Sequence, residues 1–406
     1  MTAEPLPPPG ASHGFFADLS LQAAIQGLVV ALVGYTSSVA ILIKGLAAAG
    51  ASEGQIISGL MVVGIAKGLA AIALSLWSRM PISIAWTTPG LAFMATTGAV
   101  AGGFPAAVGA FIVVGLLIMV AAFWSPLSRL VQAIPKPLAN AMLAGILLKL
   151  CLAPFVAIRD LPALGLAILA IWLIMLKIAR LWAVPAAVAF ALALVIAGYG
   201  GSGNGGGMPG FHWPGFVLVM PVFSPEVLLG LALPLFIVTM ASQNITGYAV
   251  LSTFGYTPSM RQGLALTGAA TLTTAVTGAP PINSAAITAA MCASPEAHPD
   301  PSRRYIAAVF GGVGYILLSI LAAVTAGLVL RASPMLIEAA AGLALLSAFG
   351  GAMRGAVDSE PERIPALLTF FTTASGLTLW GIGGAFWGLV LGWVVLIFLQ
   401  GRAGLR

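Results

Sequence analysis

Charge is what this sequence has least of. Asp, Glu, Lys and Arg make up 7% of its 406 residues, where soluble domains carry about 25%. A chain of this length could not cover its apolar mass in water with so few polar groups. What it has instead is 60% hydrophobic residues and a mean hydropathy of +1.07. Apolar runs of about twenty residues recur along the whole length, each enough to cross a hydrocarbon core of roughly 30 Å. The chain reads as a polytopic integral membrane protein.

Other scarcities narrow the function. The two cysteines, Cys151 and Cys292, lie in or beside apolar segments far apart, so neither a disulfide framework nor a metal cluster is expected. The three histidines, His13, His212 and His298, fall in tails or loops without clustering. No nucleophile–base pair is visible, so neither an enzyme nor a cofactor is expected. The net charge of +6 comes from single basic residues between apolar runs, which reads as orientation charge rather than a nucleic-acid surface. The stretch Met1–Asp18 is proline-rich, with two acids and no Lys or Arg, and is not expected to act as a secretory signal.

Spans are expected at about 20–47, 54–77, 81–98, 104–124, 137–154, 161–179 and 182–199, then at 226–250, 261–278, 280–293, 304–330, 334–353, 364–379 and 381–400. A tail (1–19) precedes them, and a glycine-rich linker (200–225, with Asn204 and His212) separates a first repeat, 20–199, from a second, 226–400. With the N-terminus cytoplasmic, the inside connections hold Arg79, Arg129, Lys136, Lys177, Arg180, Arg261, Arg303, Arg304, Arg354, Arg363, Arg402 and Arg406. The outside ends hold Lys44, Lys149, Arg159 and Arg331. Twelve against four is a strong positive-inside bias, with both termini cytoplasmic. An odd number of spans per half gives the second half the opposite orientation, the inverted-repeat arrangement common in secondary transporters.

The third span of each half cannot be helical throughout. One begins Met80-Pro81-Ile82-Ser83-Ile84-Ala85-Trp86-Thr87-Thr88-Pro89-Gly90, the other Thr277-Gly278-Ala279-Pro280-Pro281-Ile282-Asn283-Ser284. The prolines remove donors and push the preceding residues into extended conformations. Residues 82–86 read as a short strand, and Thr88 before Pro89 as an N-cap opening a half-helix to about Thr97. Asn283 or Ser284 reads as the cap of a second half-helix to about Met291. Helices that start near mid-membrane leave unpaired N–H groups there, and two of them facing one another would make an anion site.

Polar residues inside other spans are few. Tyr35-Thr36-Ser37-Ser38 lies near the centre of the first span, and Thr239, Ser242-Gln243-Asn244 and Thr246 lie in the eighth. The hydroxyls can bond their own backbone, but the adjacent amides Gln243 and Asn244 need partners in a polar interior. Lys67 is the clearest mid-span charge, either a counter-charge for a substrate or a partner for backbone carbonyls. Lys44, Lys149 and Glu338 lie nearer span ends, where they are expected to snorkel. No Asp or Glu stands at mid-membrane.

The stretches 80–90, Ser242-Gln243-Asn244-Ile245-Thr246-Gly247-Tyr248 and Gly278-Ala279-Pro280-Pro281-Ile282-Asn283-Ser284 resemble the bacterial benzoate:proton symporter family (the BenE type). That family is similar to nucleobase and sulfate transporters of a seven-plus-seven inverted-repeat fold. The resemblance implies an all-α polytopic membrane protein of fourteen transmembrane segments, spans 3 and 10 being short strand plus half-helix. It implies a core domain (20–124 plus 226–330) moving against a gate domain (137–199 plus 334–400), with substrate between spans 3 and 10. Nucleobase carriers of this fold place acids on spans 8 and 10. Gln243, Asn244 and Asn283 stand here instead, which favours an anion.

The resulting expectation is a carrier of benzoate or a similar aromatic carboxylate with a proton, in a bacterial inner membrane. Transport of another small organic anion or a nucleobase, or an anion channel, are the alternatives. The site would draw on Tyr35, Ser37, Trp86, Thr87, Thr88, Phe93, Gln243, Asn244, Ile282, Asn283 and Ser284, with Tyr35, Trp86 or Phe93 facing the ring. Charge or proton coupling would involve the substrate itself, Lys67, Glu226, Glu338 or Asp18. The partners are substrate, protons and the lipid bilayer; a homodimer is compatible with the fold, and the residues do not decide it.

Overall fold

A computed structural model of the chain describes residues 14–98, 100–124, 126, 134–197, 213–331, 334–379 and 382–403. Arg129, Arg406, the tail to His13, the linker stretch 198–212 with Asn204 and His212, and the side chain of Arg402 lie outside the described residues.

Helices dominate because an apolar chain in hydrocarbon can satisfy its backbone only within each segment. The first series is α1 (Phe15–Asp18), α2 (Leu21–Thr36), α3 (Val39–Ala48), α4 (Glu53–Ser78), strand β1 (Ile84–Trp86), α5 (Thr88–Thr97) and α6 (Gly103–Phe123). It continues with α7 (Lys136–Asp160), α8 (Pro162–Ile178) and α9 (Ala183–Ile196). The second opens on one long helix, α10 (Pro225–Thr253). There follow α11 (Met260–Thr274), strand β2 (Ile282–Ser284), α12 (Ile287–Ala293), α13 (Tyr305–Ile320), α14 (Ala322–Arg331), α15 (Pro334–Val357), α16 (Arg363–Ala374) and α17 (Gly384–Ala403). Among the described residues, seven helical stretches are long and apolar enough to cross a membrane: Leu21–Ala48, Glu53–Ser78, Gly103–Phe123, Lys136–Asp160, Pro225–Thr253, Pro301–Ile320 and Met335–Val357.

Helix starts follow local side-chain chemistry. Ser20 accepts the Ala23 N–H to open α2, and Ser259 accepts the Gln262 N–H to open α11. Ser52 and Gln55 form a reciprocal capping box at the head of α4. Three expected spans prove interrupted. The stretch 20–47 breaks at Ser37–Ser38, where the Thr36 and Ser38 hydroxyls bond back to the carbonyls of Leu32 and Gly34 at 2.7 Å each. The stretch 304–330 breaks at Leu321. The helix expected over 364–379 stops at Ala374, and Gly376 (φ 72°) leads into a two-residue strand, Thr378–Leu379, that pairs with Ile382–Gly383.

Small residues set the packing around the first half's core. Helix α4 lies against α13 at Gly68 and Gly312, where a Cβ on Gly68 would stand 2.6 Å from the Gly312 carbonyl oxygen. Helix α2 meets α13 in the same way through Gly27 and Gly311. Such contacts let backbones approach closely where no hydrophobic effect separates helix from lipid. Elsewhere α7 packs on α15 and α16, and α16 on α17.

Candidate functional site

The two proline-broken segments meet. β1 pairs antiparallel with β2, setting Ile84 opposite Ser284, Ala85 opposite Asn283 and Trp86 opposite Ile282. Further bonds lock the ends, from Thr87 N–H to the Pro281 carbonyl and from Ala285 N–H to the Ser83 carbonyl, both at 3.0 Å. Gly278, at φ 81°, supplies the left-handed turn that lets the chain enter β2 through two prolines. A two-stranded sheet inside a membrane leaves outer edges that must be satisfied. On β2 this is done by side chains: the Thr271 hydroxyl accepts Ile282 N–H at 3.0 Å, and Asn244 Oδ1 accepts Ser284 N–H at 2.9 Å.

α5 begins directly after β1. Its cap is Thr87, not Thr88: the Thr87 Oγ1 accepts Gly90 N–H, and Thr88 and Pro89 occupy the first turn. The shift follows from register, since Thr87 is still tied to Pro281 through its backbone and so cannot be helical. A second correction concerns Asn283 and Ser284. They lie in β2 and cap nothing; α12 starts at Ile287 after Ala286 without a side-chain cap.

The strand pair has two faces, because side chains alternate and directly opposed residues share a side. Ile84 and Trp86 are buried while Ala85 is half-open. Ala85 and Asn283 therefore share one face, open at Ala85 while Asn283 is fully buried, and Ile84, Trp86, Ile282 and Ser284 share the closed one. On the open face Asn283 donates to the Ser284 carbonyl at 2.8 Å, while its Oδ1, fully buried, has no partner among the described residues. Thr88 and Gln243 are half-buried nearby in sequence to these elements, and the Gln243 amide makes no side-chain hydrogen bond among the described residues. Ile287, at the start of α12, is 70% exposed.

The closed face holds a different chemistry. Trp86 turns inward, its ring 5.8 Å from that of Tyr35 in an edge-to-face arrangement. Lys67 of α4 stands between two rings, Nζ 3.4 Å from the Trp86 centroid and 3.5 Å from that of Tyr315 on α13. The lysine is 1% exposed, with neither an ion pair nor a hydrogen bond among the described residues. The sequence marked Lys67 as a lone mid-span charge, but two flanking rings were not among its expected partners. Trp86 thus faces both Lys67 and Tyr35, whereas Phe93 lines a cavity along the C-terminal half of α5.

That cavity, about 300 Å³, lies between α5 (Phe93, Thr96, Thr97), α7 (Ile146, Lys149) and the turn after α16. Lys149, read as a residue near a span end, also lines this space, for which a lone Lys carries no signal in the sequence. Other expected site residues have local partners. The Ser37 hydroxyl donates to the Gly34 carbonyl at 3.2 Å, and Ser284 Oγ packs against Gly247 without a hydrogen bond. Asn244 is fully buried, its Nδ2 directed at the Met240 sulfur at 3.4 Å. It sits in a π-helical stretch, Met240–Asn244, a wider turn that projects its amide toward β2. Sequence reasoning missed Thr239, as a site residue, whose hydroxyl lies 2.8 Å from that of Thr87 and joins α10 to the head of α5.

The carboxylates considered for coupling have other surroundings. Asp18 pairs with Arg79 at 2.7 Å and accepts the Tyr305 hydroxyl at 2.9 Å, tying α1 to α4 and α13. Glu338 on α15 pairs with Lys44 on α3 at 2.5 Å, with about a third of each side chain exposed (32% and 28%). Both were expected to snorkel freely; the helices instead bring them face to face. Glu226 lies exposed in the first turn of α10.

A mostly helical multi-pass protein with this broken-helix centre is a membrane transporter and not an enzyme. Residues 17–398 match the family described as "Benzoate membrane transport protein", and the chain belongs to that family, as the three sequence motifs indicated. It is 38% identical over 377 residues to the inner membrane protein YdcO of Escherichia coli (strain K12), covering 93% of this chain and 95% of that one. It is 30% identical over 392 residues to the benzoate membrane transport protein of Acinetobacter baylyi (strain ATCC 33305 / BD413 / ADP1), covering 94% and 96%. In fold it resembles the transmembrane domain of a cyanobacterial bicarbonate transporter, BicA (TM-score 0.60, 16% identity, 88% of this chain and 97% of that one). It also resembles the murine Solute Carrier 26 family member A9 anion transporter in its inward-facing state (TM-score 0.59, 12% identity, 94% and 69%).

Proposed function

We propose that this protein imports benzoate, or a similar aromatic carboxylate, together with a proton by alternating access across a bacterial inner membrane. Fourteen segments in two inverted repeats of seven, with both termini cytoplasmic, would form the core and gate domains outlined from the sequence. The observation that carries this reading is the open face of the strand pair. Ala85 and Asn283 lie opposite one another there, α5 starts beside them at Thr88, and the uncommitted amide of Gln243 would add donors. No carboxylate joins them among the described residues, so an anion meets donors and a helix N-terminus without repulsion. Phe93, lining the cavity beside α5, would supply apolar surface for a ring. Lys149, lining the cavity along α5, would add a positive charge to attract an anion toward this region.

Calorimetry on the purified protein tests the substrate. Benzoate is expected to bind saturably and to raise the melting temperature, with the neutral isostere benzamide binding at least tenfold more weakly. Uptake of labelled benzoate by cells tests transport, at about pH 8 where almost none is in the membrane-permeant acid form. Saturable uptake that requires the protein and collapses with a protonophore is expected. Equal binding of benzamide would remove the carboxylate from the reading, and uptake insensitive to protonophore would remove the proton.

A further inference from the structure

The strand pair's face would account for an anion; it leaves Lys67 unexplained. A mid-membrane ammonium normally has a carboxylate or a ring of carbonyls to hold it, because an unpaired buried charge is costly. Lys67 has two aromatic faces at 3.4 and 3.5 Å. Ring faces stabilise a cation without fixing it as one, since they bring no negative charge to neutralise. The neighbouring elements bring no such charge among the described residues. From α13 the titratable group facing Lys67 is Tyr315, with Cys292 of α12 beside that phenol. Behind Trp86 of β1 stands Tyr35 of α2. On the other elements packed against α4, Lys44 of α3 is engaged by Glu338, Arg261 of α11 lies over the Phe123 ring, and Arg331 of α14 is exposed at its helix end. On α4 itself, Glu53 is exposed at the start, and Arg79 at the end is taken by Asp18. None of these places a carboxylate against Lys67.

Trp86, whose ring covers Lys67, is the last residue of β1, one residue before the Thr87 cap of α5. The amine therefore lies behind the strand whose open face would receive the anion. We propose that Lys67 is the proton-binding group of the transport cycle, charged when a carboxylate occupies the open face and neutral when it is empty. This inference rests on the function proposed above and adds the residue that carries the proton.

The cycle balances in charge and protons. On the outer side the neutral amine takes one proton as one carboxylate binds; the ammonium and the carboxylate then cross as a pair with no net charge. On the inner side the carboxylate leaves, the ammonium loses its partner, and the proton follows it into the cytoplasm. The two charges need not touch, because a field acts across a strand's thickness far more strongly in a low-dielectric interior than in water. No acidic residue in mid-membrane is required, in keeping with the absence of one from the described spans.

Proton uptake on binding is the direct test. Benzoate titrations in buffers of different ionisation heat count the protons taken up per ligand bound. The wild type is expected to take up about one proton per benzoate, and Lys67→Arg about none, because a guanidinium is protonated in both states. Lys67→Gln, with no titrating group, is expected also to take up none and to bind more weakly. Proton uptake in Lys67→Arg equal to the wild type overturns the proposal, as does a wild type that takes up none. A second measurement needs no substrate: tryptophan emission followed against pH. A titration step is expected in the wild type and should vanish in both Lys67→Gln and Trp86→Phe; a step that survives in Lys67→Gln also overturns the proposal. A wild type that binds no benzoate while keeping a Lys67-dependent step would defeat the substrate reading alone.

Discussion

Replacing Asn244 with alanine tests whether a single side chain holds the site's second strand in place. Asn244 Oδ1 accepts the Ser284 N–H at 2.9 Å, and both residues are fully buried. Alanine leaves that backbone donor without a partner in a place water does not reach, at a cost of about 1–3 kcal/mol. The lost contact from Nδ2 to the Met240 sulfur adds little, thioether sulfur being a weak acceptor. Ser284 is the last residue of β2 and adjoins Asn283, so the strand is expected to shift or fray there and misplace the Asn283 amide. Benzoate affinity should then fall by about 5- to 150-fold, the same energy expressed as a ratio. Calorimetry gives the affinity, thermal unfolding in detergent the stability, and circular dichroism a check that the helices persist. Unchanged affinity and an unchanged melting temperature together would refute the view that this bond positions β2.

Three further outcomes are expected. Thr87→Val removes both the cap on Gly90 N–H and the bond to Thr239, and should lower stability by about 1–2 kcal/mol, while Thr87→Ser retains most of it; equal melting temperatures for the two variants would contradict this. Lys44→Glu and Glu338→Lys should each slow uptake, and the double swap should restore it. The pair, about a third exposed, sets a coupling of only about 0.5–1 kcal/mol, read from the double-mutant cycle. Gly68→Ala should destabilise the protein by about 1–3 kcal/mol, because its Cβ would press on the Gly312 carbonyl; melting within error of the wild type would mean the helices part without cost.

Some of the site was legible because proline leaves a local mark. Pro81 and the Pro280-Pro281 pair remove donors and push the preceding residues into extended backbone, and with the Thr88-Pro89 step they placed both breaks without coordinates. Proline alone does not, since Pro154 lies inside the continuous helix α7. The amides Gln243 and Asn244 were marked by polarity alone, and the two then diverged. Asn244 faces β2 and serves its backbone, while Gln243, one residue earlier on the helix, is left half-buried with its amide uncommitted. No periodicity separates neighbours in a π-helical turn, so their division of labour was not readable. The caps were misassigned for a related reason: whether Thr87 or Thr88 starts α5 depends on the Thr87 bond to Pro281, a residue of the other half. The pairing of Lys44 with Glu338 was equally hidden, since each looked like a lone charge near a span end.

The sequence by itself determined that the chain lives in a membrane, that two segments are broken, and that its middle is polar yet free of acids. Those properties are local: composition, proline and hydropathy act on each stretch independently of its partners. Only the tertiary structure decided what the broken segments do together. Ile84 lies opposite Ser284, and three-residue strands carry too little pattern to declare a partner so distant. That pairing sorts the residues onto two faces, Asn283 toward the open side and Trp86 toward Lys67. Which face a side chain joins follows from register, and register exists only once two strands have met.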